Sequence, residues 1–130
     1  MSVSKAFDLV HGNLGNYPEV NSGWIRCTKW GYFRDAEGNL NEENPEEDFQ
    51  MEFAVGPQGD YVNKSTPKQT IRVSDVVAGG FEKMLAAVTA GGLRGYFPNG
   101  EEDFWDECCW DADSIDGLMQ FHFYGDVLCG

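Results

Sequence analysis

The clearest pattern in the chain is an alternation of apolar and polar residues over positions 49–55. Every second residue there is apolar: Phe49, Met51, Phe53 and Val55. Because successive side chains of a strand point to opposite faces, this alternation predicts a β-strand with one buried face. We expect further strands over Trp24–Phe33 and Thr70–Val73, and a hairpin strand over Asp60–Val62 after the Gly56–Gly59 turn. Shorter strands are predicted over Leu93–Phe97 and Asp126–Cys129.

A helical spacing of apolar residues marks the segment from Asp75 to Val88. Its i, i+3, i+4, i+7 set consists of Phe81, Met84, Leu85 and Val88. This predicts a helix with Ser74 as its N-cap, ended by Gly91–Gly92. We expect shorter helices over Ser4–Val10, with Ser4 as its N-cap and Gly12 as its stop, and over Glu101–Trp110.

The segment 114–124 fits two patterns, because Ile115, Leu118 and Met119 have helical spacing, whereas Met119, Phe121 and Phe123 alternate. We favour a helix that starts at an Asp113–Ser114 cap and ends at Gly125. Together these elements predict an α+β fold over residues 1–130, with a small antiparallel sheet packed against two or three short helices in a single domain.

Length and composition support a folded chain. The protein has 130 residues, of which 42% are hydrophobic and 14% aromatic. A chain of this length can bury about two-thirds of its surface on folding. Intrinsic disorder throughout is therefore excluded.

The charge is strongly segregated along the chain. Residues 36–63, the first acidic block, hold eight acids and no Lys or Arg, and residues 95–130, the second acidic block, hold nine acids and again no Lys or Arg. All nine basic residues lie elsewhere, and the net charge is −13. This balance disfavours direct binding of nucleic acid or of an anionic membrane.

The ends and the cysteines indicate a compartment. The first residues lack the apolar run of a secretory signal, and no stretch is long enough to span a membrane, so we expect a cytoplasmic protein. Two of the four cysteines, Cys108 and Cys109, are adjacent, and the spacings do not form a disulfide framework. We expect all four thiols to be reduced.

Metal and catalytic motifs are weak, so we expect no metal and no cofactor. The two His are far apart, and Cys108 and Cys109 do not have zinc-ligand spacing. The segment from Asp111 begins like a calcium loop, but Ile115 and His122 stand where oxygen ligands belong, which favours an acidic helix start. Acidic neighbours oppose formation of a thiolate at Cys108 or Cys109.

The acidic blocks favour a surface that binds a basic partner. Carboxylates present acceptor oxygens to Lys and Arg much as phosphates do, so such a surface can occupy the groove that a partner uses for nucleic acid. If residues 101–111 were one helix, acids four positions apart would lie about 6 Å apart. The candidate contact residues are Glu101, Glu102, Asp103, Asp106, Glu107, Asp111 and Asp113, with Glu42, Glu43, Glu46 and Glu47 as a second set. The alternative is that these acids form only a solvated face.

In size, charge and its two base-free acidic blocks, the chain resembles the small acidic inhibitors that bacteriophages encode against host defences, including anti-CRISPR and DNA-mimic proteins. The resemblance is one of composition and carries no shared motif. It implies a non-enzymatic, stoichiometric inhibitor that acts in the host cytosol on a basic nucleic-acid-binding protein or complex.

A second hypothesis is a small enzyme or ligand-binding domain whose acids serve only solubility. It would place a pocket near His122 and Cys108, with titratable groups of shifted pKa.

Overall fold

A computed structural model describes residues 1–14, 22–33 and 35–129, and it has an α+β fold. The strands are β1 (Ile25–Tyr32), β2 (Phe49–Val55) and β3 (Lys68–Arg72). The α-helices of the described residues are α1 (Val3–Phe7), α2 (Val73–Val77), α3 (Glu82–Thr89), α4 (Glu101–Phe104) and α5 (Ala112–Tyr124). A π-helical turn, Asp8–Leu14, continues α1, and 3-10 turns span Pro45–Asp48, Pro57–Gly59 and Glu107–Cys109.

The sheet is antiparallel in the order β1-β2-β3, with β2 in the centre. The alternation that predicts β2 is confirmed, since its four alternate apolar residues are all buried. The helices pack on this inner face: Phe49 contacts the rings of Phe7 and His11, and Phe53 contacts Phe123. The sheet therefore has a covered inner face and a solvent-facing outer face.

The predicted hairpin strand over Asp60–Val62 is wrong. The amide of Val62 donates to the carbonyl oxygen of Gly23 at 2.7 Å. This segment therefore lies beside the residues just before β1 and does not pair with β2. A turn closed by Asn63 and Thr66 then leads into β3, which includes most of the predicted strand at 70–73. Ser74 is not an N-cap, because α2 begins one residue earlier, at Val73.

The predicted helix from Asp75 is two helices. Gly79, with a φ of 101°, takes a left-handed conformation after α2. The amides of Gly79 and Gly80 then donate to the carbonyl oxygens of Val76 and Asp75, the hydrogen-bond pattern of a Schellman motif. The pair at 91–92 ends α3 in the same way, as predicted. Both glycine pairs are therefore helix stops, and only the second was recognised from sequence.

The replacement Gly79→Ala tests this stop. A Cβ at a left-handed position is strained, so we expect the free energy of unfolding to fall by about 1–2 kcal/mol. Gly95→Ala is the matched control, because a Cβ there meets nothing within 4 Å. Urea denaturation of both variants measures the difference. Equal stability of the two variants would contradict the Schellman assignment.

Two other strand predictions and one helix prediction need correction. Residues 93–97 form successive turns, in which the amide of Phe97 donates to the carbonyl oxygen of Leu93, and not a strand. At the N-terminus the cap is Ser2 rather than Ser4, and the helical path continues past Gly12 to Leu14. The expected edge strand at 126–129 is absent from the described residues, for the reason that follows.

A buried glutamine holds the C-terminal segment. Gln120 is 0% exposed. Its amide nitrogen donates to Asp116 and to the carbonyl oxygen of Cys129, each at 2.9 Å, and its oxygen accepts from the amides of Leu128 and Cys129. The tail amides thus pair with a side chain of α5 instead of a neighbouring strand.

Helix α5 is confirmed up to its stop at Gly125, a left-handed residue. Its N-cap is Asp111 rather than Asp113, and Asp111 and Ser114 form a reciprocal capping box. Asp116 on this helix accepts from the indole of Trp24 at 3.1 Å, and the Tyr124 hydroxyl donates to the carbonyl oxygen of Gly56 at 2.6 Å. These bonds join α5 to the ends of β1 and β2.

The replacement Gln120→Ala removes this connection. It leaves partly buried amide and carbonyl groups of the tail without partners, so we expect it to lower the free energy of unfolding by about 1–3 kcal/mol. Gln69→Ala, at an exposed position of β3, is the control and should change stability by less than about 0.5 kcal/mol. Urea denaturation measures both. A Gln120→Ala variant as stable as the control would refute the role of this side chain.

Candidate acidic partner-binding surface

The second acidic block begins at a tight turn before α4. Gly100, with a φ of 66°, directs the chain into the helix. The carboxylate of Asp103 accepts the Asn99 amide at 2.8 Å and its side-chain nitrogen at 3.2 Å. Asp103 is only 7% exposed. The prediction that Asp103 contacts a partner is therefore corrected: its carboxylate stabilises the turn.

The predicted helix over 101–110 ends early, at Phe104. The indole of Trp110 donates to the Phe104 carbonyl oxygen at 2.9 Å, and the rings of Phe97, Phe104 and Trp110 pack together in the core. This contact turns the chain back after one helical turn. The acids four positions apart, such as Glu102 and Asp106, are consequently not held at helical spacing.

Most acids of this block nevertheless face solvent. The exposed ones among the predicted contacts are Glu101, Glu102, Asp106, Asp111 and Asp113. No ion pair among the described side chains joins a cation to any of these five. Two of them also serve the backbone, since Asp106 accepts the Cys108 amide and Asp111 caps α5. Glu107 begins the 3-10 turn, and its side chain lies outside the described part.

The second predicted set lies in the loop before β2. Glu42, Glu43 and Glu46 are exposed and Glu47 is half-buried. The loop is held by buried Asp48, whose carboxylate accepts the Asn41 amide. Hydrogen bonds from the Asn39 amide and side chain lower the pKa of Asp35 at the start of the loop. This set is thus displayed on a loop tied to the core.

Helix α1 touches both acidic blocks. The 3-10 turn Pro45–Asp48 packs against α1 and α2. Lys5 of α1 also lies over the Trp105 ring next to α4. The turn at 45–48 in the first block and Trp105 in the second thus both lie next to α1.

The outer face of the sheet has the opposite charge. The strand register places Arg26, Lys29, Lys68 and Arg72 on this face around Glu52. Glu52 pairs with Lys29 at 3.7 Å and Lys68 at 3.8 Å. Four of the nine cations therefore gather away from the second acidic block.

A groove next to α4 was not predicted from the sequence. Two cavities of about 320 and 700 Å³ adjoin at Lys5 and Trp105, and we call them the Trp105 groove. Its apolar lining comprises Val76, Val77, Phe81, Leu85 and Leu9. Its acidic lining comprises Glu82, Glu101, Asp8 and Asp106. Lys5 and Trp105 are separated by 100 positions, so no local spacing in the sequence links them.

The half-exposed indole of Trp105 lies between these acids. Its Nε1 donates to Glu101 at 3.4 Å, and the Lys5 ammonium lies 5.3 Å from the ring centroid. A cation within about 6 Å of an aromatic face is attracted by the ring. The groove therefore combines an apolar floor, an aromatic ring and carboxylates that form no ion pair with a described cation.

The residues of the enzyme hypothesis have other contacts. His122 is half-buried, with its ring edge-on to Phe81 at 5.2 Å and next to Phe123 at 4.8 Å. Burial, and then the nearby Lys83, lower the pKa of His122. Cys108 is exposed and its amide donates to Asp106. Both residues lie outside the lining of the Trp105 groove.

No group of His, Cys, Asp or Glu in the described residues has a geometry suited to a metal ion. The calcium-like segment from Asp111 is the capped first turn of α5, which confirms the acidic helix start. Within the same residues, every helix is too short or too polar to cross a membrane.

Comparison with known proteins identifies no relative: no protein-family model, curated protein or solved structure matches the chain.

The pKa of the Cys109 thiol reports the electrostatic effect of two nearby acids, Asp103 and Asp106. Burial raises its pKa, and the charges of Asp103 and Asp106 raise it further. We expect Asp106→Asn to shift alkylation of Cys109 by iodoacetamide to lower pH, because the thiolate is then less disfavoured. Mass mapping of the modified peptide across pH measures this. Glu37→Gln, a distant exposed acid, should leave the profile unchanged, and an unmoved profile in Asp106→Asn would contradict the assignment.

Proposed function

We propose that the protein is a non-enzymatic acidic binding module that occupies the basic nucleic-acid-binding surface of a partner protein or complex. The observation that carries this proposal is the set of exposed carboxylates of the second acidic block, which form no ion pair with a described cation; two of them, Glu101 and Asp106, line the Trp105 groove. A surface of this kind offers charge for attraction and an apolar anchor for affinity.

The charge distribution supports a specific orientation on the partner. An ordinary solvated face mixes charges of both signs, whereas here four cations lie on the outer sheet face and the second block contains none. The acidic side would be attracted to a cationic groove, and the outer sheet face would be repelled by it. Nucleic acid is anionic and would be repelled by the acidic blocks, so direct binding of nucleic acid through them is disfavoured.

At a finer level, we propose an inhibitor of the anti-CRISPR or DNA-mimic kind, acting in the cytoplasm of a phage-infected cell. The resemblance in size and acidic blocks supports this, as do the four cysteines, which are thiols rather than disulfides, as a reducing compartment would keep them. A host complex that handles nucleic acid is then the expected target.

The experiment is capture of a partner from cell lysate at low and physiological salt, followed by competition. A partner held through its nucleic-acid-binding surface should be lost as salt rises and should be released by excess DNA or RNA oligonucleotide. The triple variant Glu101→Gln, Glu102→Gln, Asp106→Asn should lower the affinity for the purified partner about tenfold. Isothermal titration calorimetry measures this change.

Two variants with the same charge change serve as comparisons. Glu37→Gln, Asp60→Asn, Asp75→Asn alters exposed acids outside the predicted contact sets and should change affinity by less than about threefold. Glu42→Gln, Glu43→Gln, Glu46→Gln tests the second set. A complex that is insensitive to salt, to nucleic acid and to both contact-set variants would overturn the proposed function.

A further inference from the structure

We propose that the Trp105 ring face now covered by Lys5 is the binding site for an arginine side chain of the partner. This inference rests on the proposed function and names the chemistry of its anchor. Lys5 would then be an internal placeholder, which the partner's guanidinium displaces.

The contact of Lys5 with Trp105 is weak enough to be exchanged. Lys5 is an exposed residue, and its ammonium lies over the ring at 5.3 Å. An exposed cation–π contact changes an equilibrium by only about two- to fivefold. A partner cation can therefore displace Lys5 at little cost in free energy, and the ring face already binds a positive charge.

The groove suits a cationic side chain that has a long apolar stem. Apolar residues of α2 and α3 line one side of the ring, and these suit the methylene stem of an arginine. The groove is lined by four carboxylates, by the Lys5 ammonium and by Met1 with its amino group, so its net charge is negative. Charge complementarity thus selects a cationic occupant.

Arginine fits this surface better than lysine. A guanidinium is planar and weakly hydrated, so it stacks on an indole face and also forms paired hydrogen bonds with a carboxylate. Glu101 lies at the edge of that same indole, where its Oε1 accepts the Trp105 Nε1–H. A guanidinium on the ring would therefore lie beside a carboxylate.

The test uses a flexible Gly–Ser peptide carrying four arginines, and its lysine counterpart, at low salt. We expect the arginine peptide to bind more tightly and to shift the indole Nε1–H resonance of Trp105 most among the tryptophans. Lys5→Met should raise affinity about two- to fivefold, because it removes the ammonium that competes for the ring face. Lys64→Met makes the same charge change at an exposed loop position and should raise affinity less.

The ring itself is tested by Trp105→Leu, compared with Trp30→Leu on the sheet. Trp30 is 53% exposed and outside the groove. We expect Trp105→Leu to weaken binding about tenfold or more, Trp105→Phe to weaken it less, and Trp30→Leu to have no effect, with circular dichroism confirming that each variant is folded.

The outcomes separate this inference from the function it deepens. If the peptide binds with salt dependence but Trp105→Leu and Lys5→Met behave like their controls, the arginine site is refuted and the acidic surface stands. If neither peptide binds at low salt, both proposals fail. Equal affinity for the arginine and lysine peptides, with Lys5→Met matching Lys64→Met, also refutes the arginine site.

Discussion

The buried amide of Gln120 is the constraint on which the two layers of the molecule depend. A side-chain amide has two donors and two acceptor positions, and here all four have partners in Asp116 and the tail backbone. Asp116 in turn accepts the indole of Trp24, which precedes β1. One residue of α5 therefore determines where the tail lies and helps to hold the helix against the sheet.

A satisfied buried network of this kind gives specificity as well as stability. In a low-dielectric core each polar group must find its partner, so alternative packings of α5 would leave several groups unpaired. The neighbouring Tyr124 hydroxyl adds a bond to Gly56, a buried glycine at which a Cβ would clash with the Asp60 backbone oxygen. The acidic elements are thus carried on a well-defined scaffold.

Local patterns predicted those elements whose formation depends on local interactions. Strand β2 was predicted correctly because its alternation, its composition and its flanking glycine agree. The helix from Asp75 was extended too far because the apolar spacing of 81–88 belongs to α3, and Gly79–Gly80, which ends α2, was not recognised as a helix stop. The tail was predicted as a strand, although its backbone pairs with the side chain of Gln120. A contact of this kind leaves no periodic pattern of apolar residues in the sequence.

The residues of the candidate site likewise differ in how far the sequence predicted their environment. The exposure of Glu101 and Glu102 follows from charge and position, and the sequence predicted it. Asp103 differs from them because its carboxylate is buried and accepts two hydrogen bonds from Asn99, four residues earlier. The contact of Lys5 with Trp105 joins distant parts of the chain and requires the tertiary structure.

The cations on the outer sheet face give the molecule a permanent dipole in addition to its net charge. In the field of a cationic partner, net charge draws the protein closer and the dipole exerts a torque that turns the helical layer forward. Alignment before contact shortens the search for the productive orientation, so association would be fast and would slow as ions screen the field. The cations of β1 and β3 would thereby influence the rate at which a cationic partner binds the acidic surface of the other layer.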